Sequence, residues 1–240
     1  VKPAPPTPLT CQTFLNILFE AGLPKEWATM VAPENLDLAT ALVADKRVGF
    51  FSFIGSSGVG WMLRSKLAPG ARCALEHGGV APVIVAPDAN LDTALPTLAK
   101  GGFYHAGQVC VSVQRIFCDA KIAQDVAAGI AAQADSMKVS DPTLADTDVG
   151  PLINHNECDR VATWVSDAIS GGAKLITGGD KISDSCYKPT VLFDPPADAK
   201  ISNAEIFGPA VCVYPYDNLD SAIARANSLP VSFQAAVFTR

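Results

Sequence analysis

Phe53-Ile54-Gly55-Ser56-Ser57-Gly58-Val59-Gly60 is the phrase from which the rest of the chain can be read. Residues 48–54 are apolar and aromatic, the composition of a buried strand. Gly55-Ser56-Ser57-Gly58 is a turn, and residues 59–67 read as a helix that Pro69-Gly70 ends. Residues 73–75 read as another strand. Strand, turn, helix and strand form a βαβ unit, which implies a parallel sheet covered by helices. Glycines at such a turn let the backbone approach a phosphate, and the helix start supplies amide donors and a positive dipole end. The spacing is not Gly-x-Gly-x-x-Gly, and a plain glycine turn fits the same residues.

The alternation extends in both directions. Upstream, residues 7–21 carry a helical stripe of Phe14, Leu15, Leu18 and Phe19, stopped by Gly22. Residues 27–32 read as a strand and 36–43 as a short helix. Downstream, strands are expected at 83–85, 113–118, 174–177, 190–193, 211–216 and 235–238. Helices are expected at 91–104, 122–137, 156–170 and 219–226, with a loop over 138–152. The fold class is therefore α/β. The double glycine Gly78-Gly79 marks the best boundary, giving domains 1–77 and 78–240.

Composition narrows the function classes. Of 240 residues, 49% are hydrophobic and 18% charged, which suits a folded chain with a core and excludes a disordered one. The net charge of −6 leaves no basic footprint for nucleic acid. Mean hydropathy is positive, yet no apolar run approaches the roughly 18 residues of a spanning helix, so no membrane partner is expected. The longest apolar runs, such as 81–86, have the length of buried strands. Seven cysteines without a pairing pattern argue against a secreted disulfide framework and for the cytoplasm. No Cys-x-x-Cys occurs and the three histidines lie far apart, so no metal site is expected.

Three further phrases bear on chemistry. In Gly107-Gln108-Val109-Cys110 a cysteine follows a glycine that permits close substrate approach. A nucleophilic thiol needs exposure and a lowered pKa or a nearby base, and a buried inert cysteine is the competing reading. In Leu75-Glu76-His77-Gly78-Gly79 a glutamate ends a strand, where α/β sheets present functional groups. Partial burial would suit it to general-base work, whereas a surface carboxylate would cap the next turn. In Glu205-Ile206-Phe207-Gly208-Pro209 an acceptor and a flat apolar face share a rigid turn. Such a pair suits a ribose and an aromatic ring, or simply a packed turn.

Taken together and in order, these phrases resemble the aldehyde dehydrogenase superfamily. The likeness also draws on Val1-Lys2-Pro3, Thr7-Pro8-Leu9, Asp148-Val149-Gly150-Pro151-Leu152 and the run from Ala235 to Arg240. It implies part of a Rossmann-like cofactor domain over 1–77 and most of an α/β catalytic domain over 78–240. It implies oxidation of a small-molecule aldehyde to an acid with NAD or NADP. By the same resemblance Cys110 is the nucleophile, forming a thiohemiacetal and then a thioester. Glu76 is the base that activates water. Lys2 is a ligand to the adenosine ribose, while Gly55 and Ser56 lie where the pyrophosphate is held. Glu205 accepts from the nicotinamide ribose, and Phe207 packs near the nicotinamide. The family's oxyanion donors are the cysteine's own amide, here that of Cys110, and an asparagine in a Trp-Asn-Phe-Pro type phrase.

That phrase does not occur in these 240 residues, nor do the family's earlier cofactor-domain strands or its last segment. The chain reads as a central part of the family fold, a fragment. A half sheet leaves an open edge and an exposed apolar face, so association with another copy, or excision from a longer folded protein, is expected. The complete protein is expected to be a homo-oligomer, and the 240-residue piece alone to turn over little or nothing. Pro5 stands where many members carry an acidic residue that binds the adenosine ribose, which weakens discrimination against NADP. His77 and His105 replace the apolar residue and the asparagine usual at their positions. Val109, Val111, Ser112 and Val113 are read as pocket lining, with no basic cluster for an anionic substrate. An acylating relative that passes the thioester to coenzyme A, an esterase and a non-catalytic binding protein are the competing functions. Glu76 favours hydrolysis over acyl transfer.

Overall fold

The structure, a computed structural model, describes residues 1–230 and 233–240. The chain divides into two compact units, Val1–Glu76 and His77–Arg240.

The first unit opens with Val1 paired to the 29–31 segment: its amine donates to Thr29 O at 2.6 Å, and Val31 N donates to Val1 O at 2.9 Å. Helix α1 (Pro8–Glu20) begins with proline at its first position, where no amide partner is lost. It ends in a Schellman turn: Leu23 N donates to Leu18 O and Gly22 N to Phe19 O, with Gly22 at φ +99°. Helix α2 (Leu36–Ala44) is capped by Asn35, whose side chain accepts from Leu38 N. Strands β1 (Phe50–Ile54) and β2 (Arg72–Glu76) pair in parallel around α3 (Ser57–Arg64), with Ile54 opposite Glu76. This is the βαβ unit expected from the glycine turn, but its helix ends at Arg64 rather than 67, and β1 is not buried as its composition suggests: Phe50 and Ile54 are exposed.

The strand expected over 27–32 is not there. Lys25–Trp27 is a 3₁₀ turn entered from Pro24, and residues 28–33 are irregular. Prolines 24 and 33 frame the segment and cannot donate to a ladder, and the unit's sheet holds β1 and β2 alone among the described residues.

Among the described residues, the second unit is built on six strands in the order β5-β6-β7-β4-β3-β8. They are β3 (Ala81–Val85), β4 (Val113–Asp119), β5 (Lys174–Thr177), β6 (Thr190–Phe193), β7 (Ala210–Tyr216) and β8 (Ala236–Phe238). Helices α4 (Leu91–Phe103), α5 (Ala123–Ser136), α6 (His155–Ser170), α7 (Lys200–Asn203) and α8 (Leu219–Ala226) complete it. The central strands are apolar almost without interruption. Ile116, Phe117 and Cys118 of β4 and Val211, Cys212, Val213 and Tyr214 of β7 are all buried. A strand covered on both faces has no solvent side and so shows no alternation. Asn90, Asn154 and Asn218 each accept a backbone N–H at the starts of α4, α6 and α8.

Two features differ from the sequence reading. β5 runs antiparallel to β6, because residues 178–189 between them hold no crossover helix. Helix α4 stops at Phe103, and His105, Ala106 and Gly107 then turn left-handed at φ 51°, 55° and 68°.

Candidate active site

The second unit gathers two of the singled-out phrases, and the Gly78-Gly79 end of a third, at one end of its sheet. Gly79 precedes β3, the cysteine turn precedes β4, and the 205–208 loop precedes β7. These strands are neighbours, in the order β7-β4-β3, and all run parallel. The cluster therefore lies at the amino ends of the strands, not at the carboxyl ends where open α/β sheets usually carry ligands. A small pocket there is lined by Gly79, Val109, Ser112, Glu205 and Phe207, among others.

Cys110 sits in a turn closed by Ser112 N donating to Val109 O at 2.9 Å. The left-handed 105–107 segment delivers the chain to this turn. Gly107 is required there: a Cβ on it would stand 2.1 Å from the carbonyl oxygen of Gly208. Gln108 anchors the far side, donating to Pro151 O at 3.2 Å and accepting from Ile153 N at 2.8 Å. Ser112 Oγ donates to Gly101 O at 3.2 Å, tying the turn to α4. Cys110 is a free thiol, partly exposed. Cys118 and Cys212 contrast with it: both are buried, and desolvation pushes their thiols up to about 12, which leaves them protonated and inert. Of the four residues read as lining, Val109, Ser112 and Val113 face this pocket and Val111 does not.

Glu205 is half-buried. Its carboxylate packs against Gly78, where a Cβ would meet Oε1 at 1.8 Å. Desolvation raises its pKa above the ordinary carboxylate range, while the Gly79 amide and the Arg160 guanidinium pull it back. Oε1 is buried without a hydrogen-bond partner among the described residues. A carboxylate oxygen left without a donor calls for a hydroxyl or amide from outside the chain. Phe207, at φ 44°, is partly exposed beside it. Arg160 Nη2 donates to Ile206 O at 2.5 Å, and its Nε to Glu157 Oε2 at 2.8 Å.

The remaining expected site residues belong to the first unit. Gly55 N donates to Glu76 O at 3.1 Å, so the glycine turn is joined to the backbone of Glu76 at the carboxyl ends of β1 and β2. The Glu76 side chain is exposed. Ser56 is exposed at the start of α3, and its side chain makes no capping bond among the described residues. Lys2 Nζ donates to Pro3 O at 2.9 Å. Pro5 and Pro6 form a turn closed by Thr7 N donating to Ala4 O at 3.1 Å. His105 is exposed, its ring 5.1 Å from that of Tyr104. Histidine is among the residues that tolerate the left-handed region.

Sequence reasoning passed over Gln114, Arg160 and the amide of Gly79. A polar pair, Gln114-Arg115, inside an otherwise apolar strand was the available signal for the first.

A family model described as the aldehyde dehydrogenase family matches residues 1–240. The chain is 35% identical over 239 residues to 3-sulfolactaldehyde dehydrogenase of Priestia aryabhattai, covering 100% of this chain and 50% of that protein. It is 34% identical over 241 residues to betaine aldehyde dehydrogenase of Cereibacter sphaeroides, covering 99% and 50%. Among solved structures, Mycobacterium tuberculosis aldehyde dehydrogenase complexed with NAD+ superposes with a TM-score of 0.93 at 31% identity, over 99% of this chain and 50% of that one. Glyceraldehyde-3-phosphate dehydrogenase GapN from Methanocaldococcus jannaschii, complexed with NADP, gives 0.92 at 33% identity, over 100% and 52%. The chain thus spans about half the length of the curated relatives it matches.

Proposed function

Because this chain belongs to the aldehyde dehydrogenase family, we propose that the protein it represents oxidises an aldehyde to a carboxylic acid with NAD or NADP. The observation that carries the reading is the partly exposed Cys110 in a rigid turn beside the pocket of Glu205 and Phe207. Residues 1–77 are then the later part of the cofactor domain and 78–240 most of the catalytic domain.

The thiolate of Cys110 attacks the aldehyde carbon. A carbon–sulfur bond forms and the carbonyl π electrons move to oxygen, giving a thiohemiacetal oxyanion that the Cys110 amide stabilises. When bound, the nicotinamide supplies the acceptor for the hydride that carbon gives up, leaving a thioester on Cys110. Glu76 takes a proton from water, the hydroxide adds to the thioester, and the carbon–sulfur bond breaks to release the acid and the thiolate. The cofactor fits the residues present. The orphaned Glu205 Oε1 suits ribose hydroxyl donors, and the exposed ring of Phe207 suits a flat ring. Lys2, Gly55 and Ser56 would hold the adenosine ribose and the pyrophosphate. Seven free cysteines fit a cytoplasmic, reducing setting. No helix among the described residues is long and apolar enough to cross a membrane. Self-association into a homo-oligomer belongs to the same proposal.

The test is reduction of NAD and NADP by the complete gene product with a panel of aldehydes, beside a Cys110→Ser variant. Reduction that depends on Cys110 is expected, with comparable use of both cofactors because Pro5 offers neither an acceptor nor a charge against a 2′-phosphate. Folded protein that reduces neither cofactor with any aldehyde overturns the reading. A strong preference for NAD overturns the Pro5 argument alone.

A further inference from the structure

Gln114 is the second residue of β4 and is 3% exposed. Its Nε2 donates to Ile201 O at 2.7 Å and to Ala204 O at 2.8 Å, and its Oε1 accepts from Ile206 N at 3.0 Å. Exchanging the amide's oxygen and nitrogen would set the oxygen against two carbonyls and the NH₂ against an N–H. The bonding pattern therefore admits one orientation. The three partners bracket Glu205 in sequence. Two of them are carbonyls at and just beyond the short helix α7, groups that a helix end leaves without partners.

This side chain joins the two halves of the pocket. Gln114 is four positions beyond Cys110 on the strand that the cysteine turn feeds. Its partners lie 87, 90 and 92 positions further along the chain. A second tie runs alongside it, where the backbones of Gly107 and Gly208 meet with no room for a Cβ. Arg160 holds Ile206 O from α6. Hydrophobic packing alone leaves a loop such as 204–208 free to shift, whereas three hydrogen bonds to a buried amide fix it in all directions.

We propose that Gln114 is a positioning residue for cofactor binding, locking the 201–206 segment to the start of β4 so that Glu205 and Phe207 keep a fixed place beside the Cys110 turn. The inference rests on the cofactor reading above and adds to it a residue whose side-chain hydrogen bonds all go to the backbone of the 201–206 segment.

The experiment uses the complete gene product with Gln114→Met, which keeps length and removes every bond, and Gln114→Glu, which keeps the acceptor for Ile206 N but cannot donate to the two carbonyls. Three quantities are read: hydrogen exchange at the Ile206 amide, NAD and NADP affinity by titration, and the rate of Cys110 alkylation without cofactor. For Gln114→Met, Ile206 exchange is expected to rise about tenfold and the cofactor Kd to weaken about tenfold, the scale of a lost buried network. Cys110 alkylation is expected to stay within about twofold, since the cysteine turn has its own anchors. If Gln114→Met does not fold, Gln114→Glu decides by the same criteria. Unchanged exchange in a folded variant overturns the lock. Faster exchange with unchanged cofactor affinity reduces Gln114 to a structural role and overturns the proposal. A wild-type protein that binds neither NAD nor NADP overturns the cofactor reading itself, and this inference with it.

Discussion

The two units of this chain use apolar side chains in opposite ways. In His77–Arg240, six strands and their helices enclose a continuous core that includes Val85, Phe103, Ile116, Phe117, Val191, Leu192 and Val213. In Val1–Glu76 the buried hydrophobic side chains are Leu15 and Leu63, with Pro3 and Gly60 buried beside them. Trp27 is 79% exposed and Ile54 81%. The strands differ accordingly: β4 is buried along most of its length, while β1 alternates between exposed and half-exposed positions. Within these 240 residues, two strands and three helices have the local signals of structure without the area of a core. The lesson is that secondary structure and core are separable. Caps and turns shape the first unit, whereas burial holds the second.

Hydrogen exchange offers the largest contrast. Amides of β4 and β7 should exchange only through global opening, and those of β1 and β2 through local opening about a thousandfold more often. Equal protection in the two sheets would break the comparison.

Core truncation sharpens it. Phe117→Ala removes a ring that is 1% exposed and stacks 5.3 Å from Tyr214, and should cost about 3–5 kcal/mol in denaturant unfolding. Phe51→Ala in the first unit, where the ring is half-exposed against Phe53, should cost only about 1 kcal/mol.

Gly107→Ala tests the strained turn. The new methyl meets the Gly208 carbonyl and the residue is held at φ +68°, so a loss of about 2–4 kcal/mol is expected. Gly22→Ala in the first unit shares the positive φ but meets nothing within 4 Å, and should cost about 1 kcal/mol. Equal losses at the two sites would show that backbone conformation, and not the close approach, sets the penalty at Gly107.

The smallest effect is a pH dependence. Burial raises the Glu205 carboxyl in the folded state, so between its unfolded and folded pKa values the native protein binds more protons than the unfolded one. Stability is then greatest below the unfolded value and declines as pH rises through the folded one. Glu205→Gln should lack that part of the decline. Thermal midpoints of both proteins from about pH 4 to about pH 7 check it, and parallel curves would count against a desolvated carboxylate.

Much of the architecture was legible in the residues. Runs such as 81–86 and 211–216 announce strands covered on both faces, because a doubly buried strand tolerates few polar groups. Asn35, Asn154 and Asn218 mark helix starts, because a short side-chain acceptor satisfies amides that the helix leaves open. The chemistry-bearing phrases were legible as residue types. Their assembly was less so. Residues 27–32 look like a strand by composition, yet prolines on either side and the absence of a ladder partner leave them irregular. β5 reads as one more strand, and its antiparallel direction follows from the short connection to β6.

Local pattern sufficed for what neighbouring residues decide among themselves: the βαβ unit around Gly55, the helix stop at Gly22, the buried strands of the second unit and a cysteine after glycine. Long-range packing set the rest. Ala106 adopts a left-handed conformation that its side chain disfavours, next to Gly107 and its contact with Gly208. The Glu205 loop reaches the cysteine turn through the pairing of β4 with β7 and through Gln114, whose partners begin 87 residues away. The free energy of such contacts depends on which surfaces meet, and no short stretch of sequence contains both surfaces.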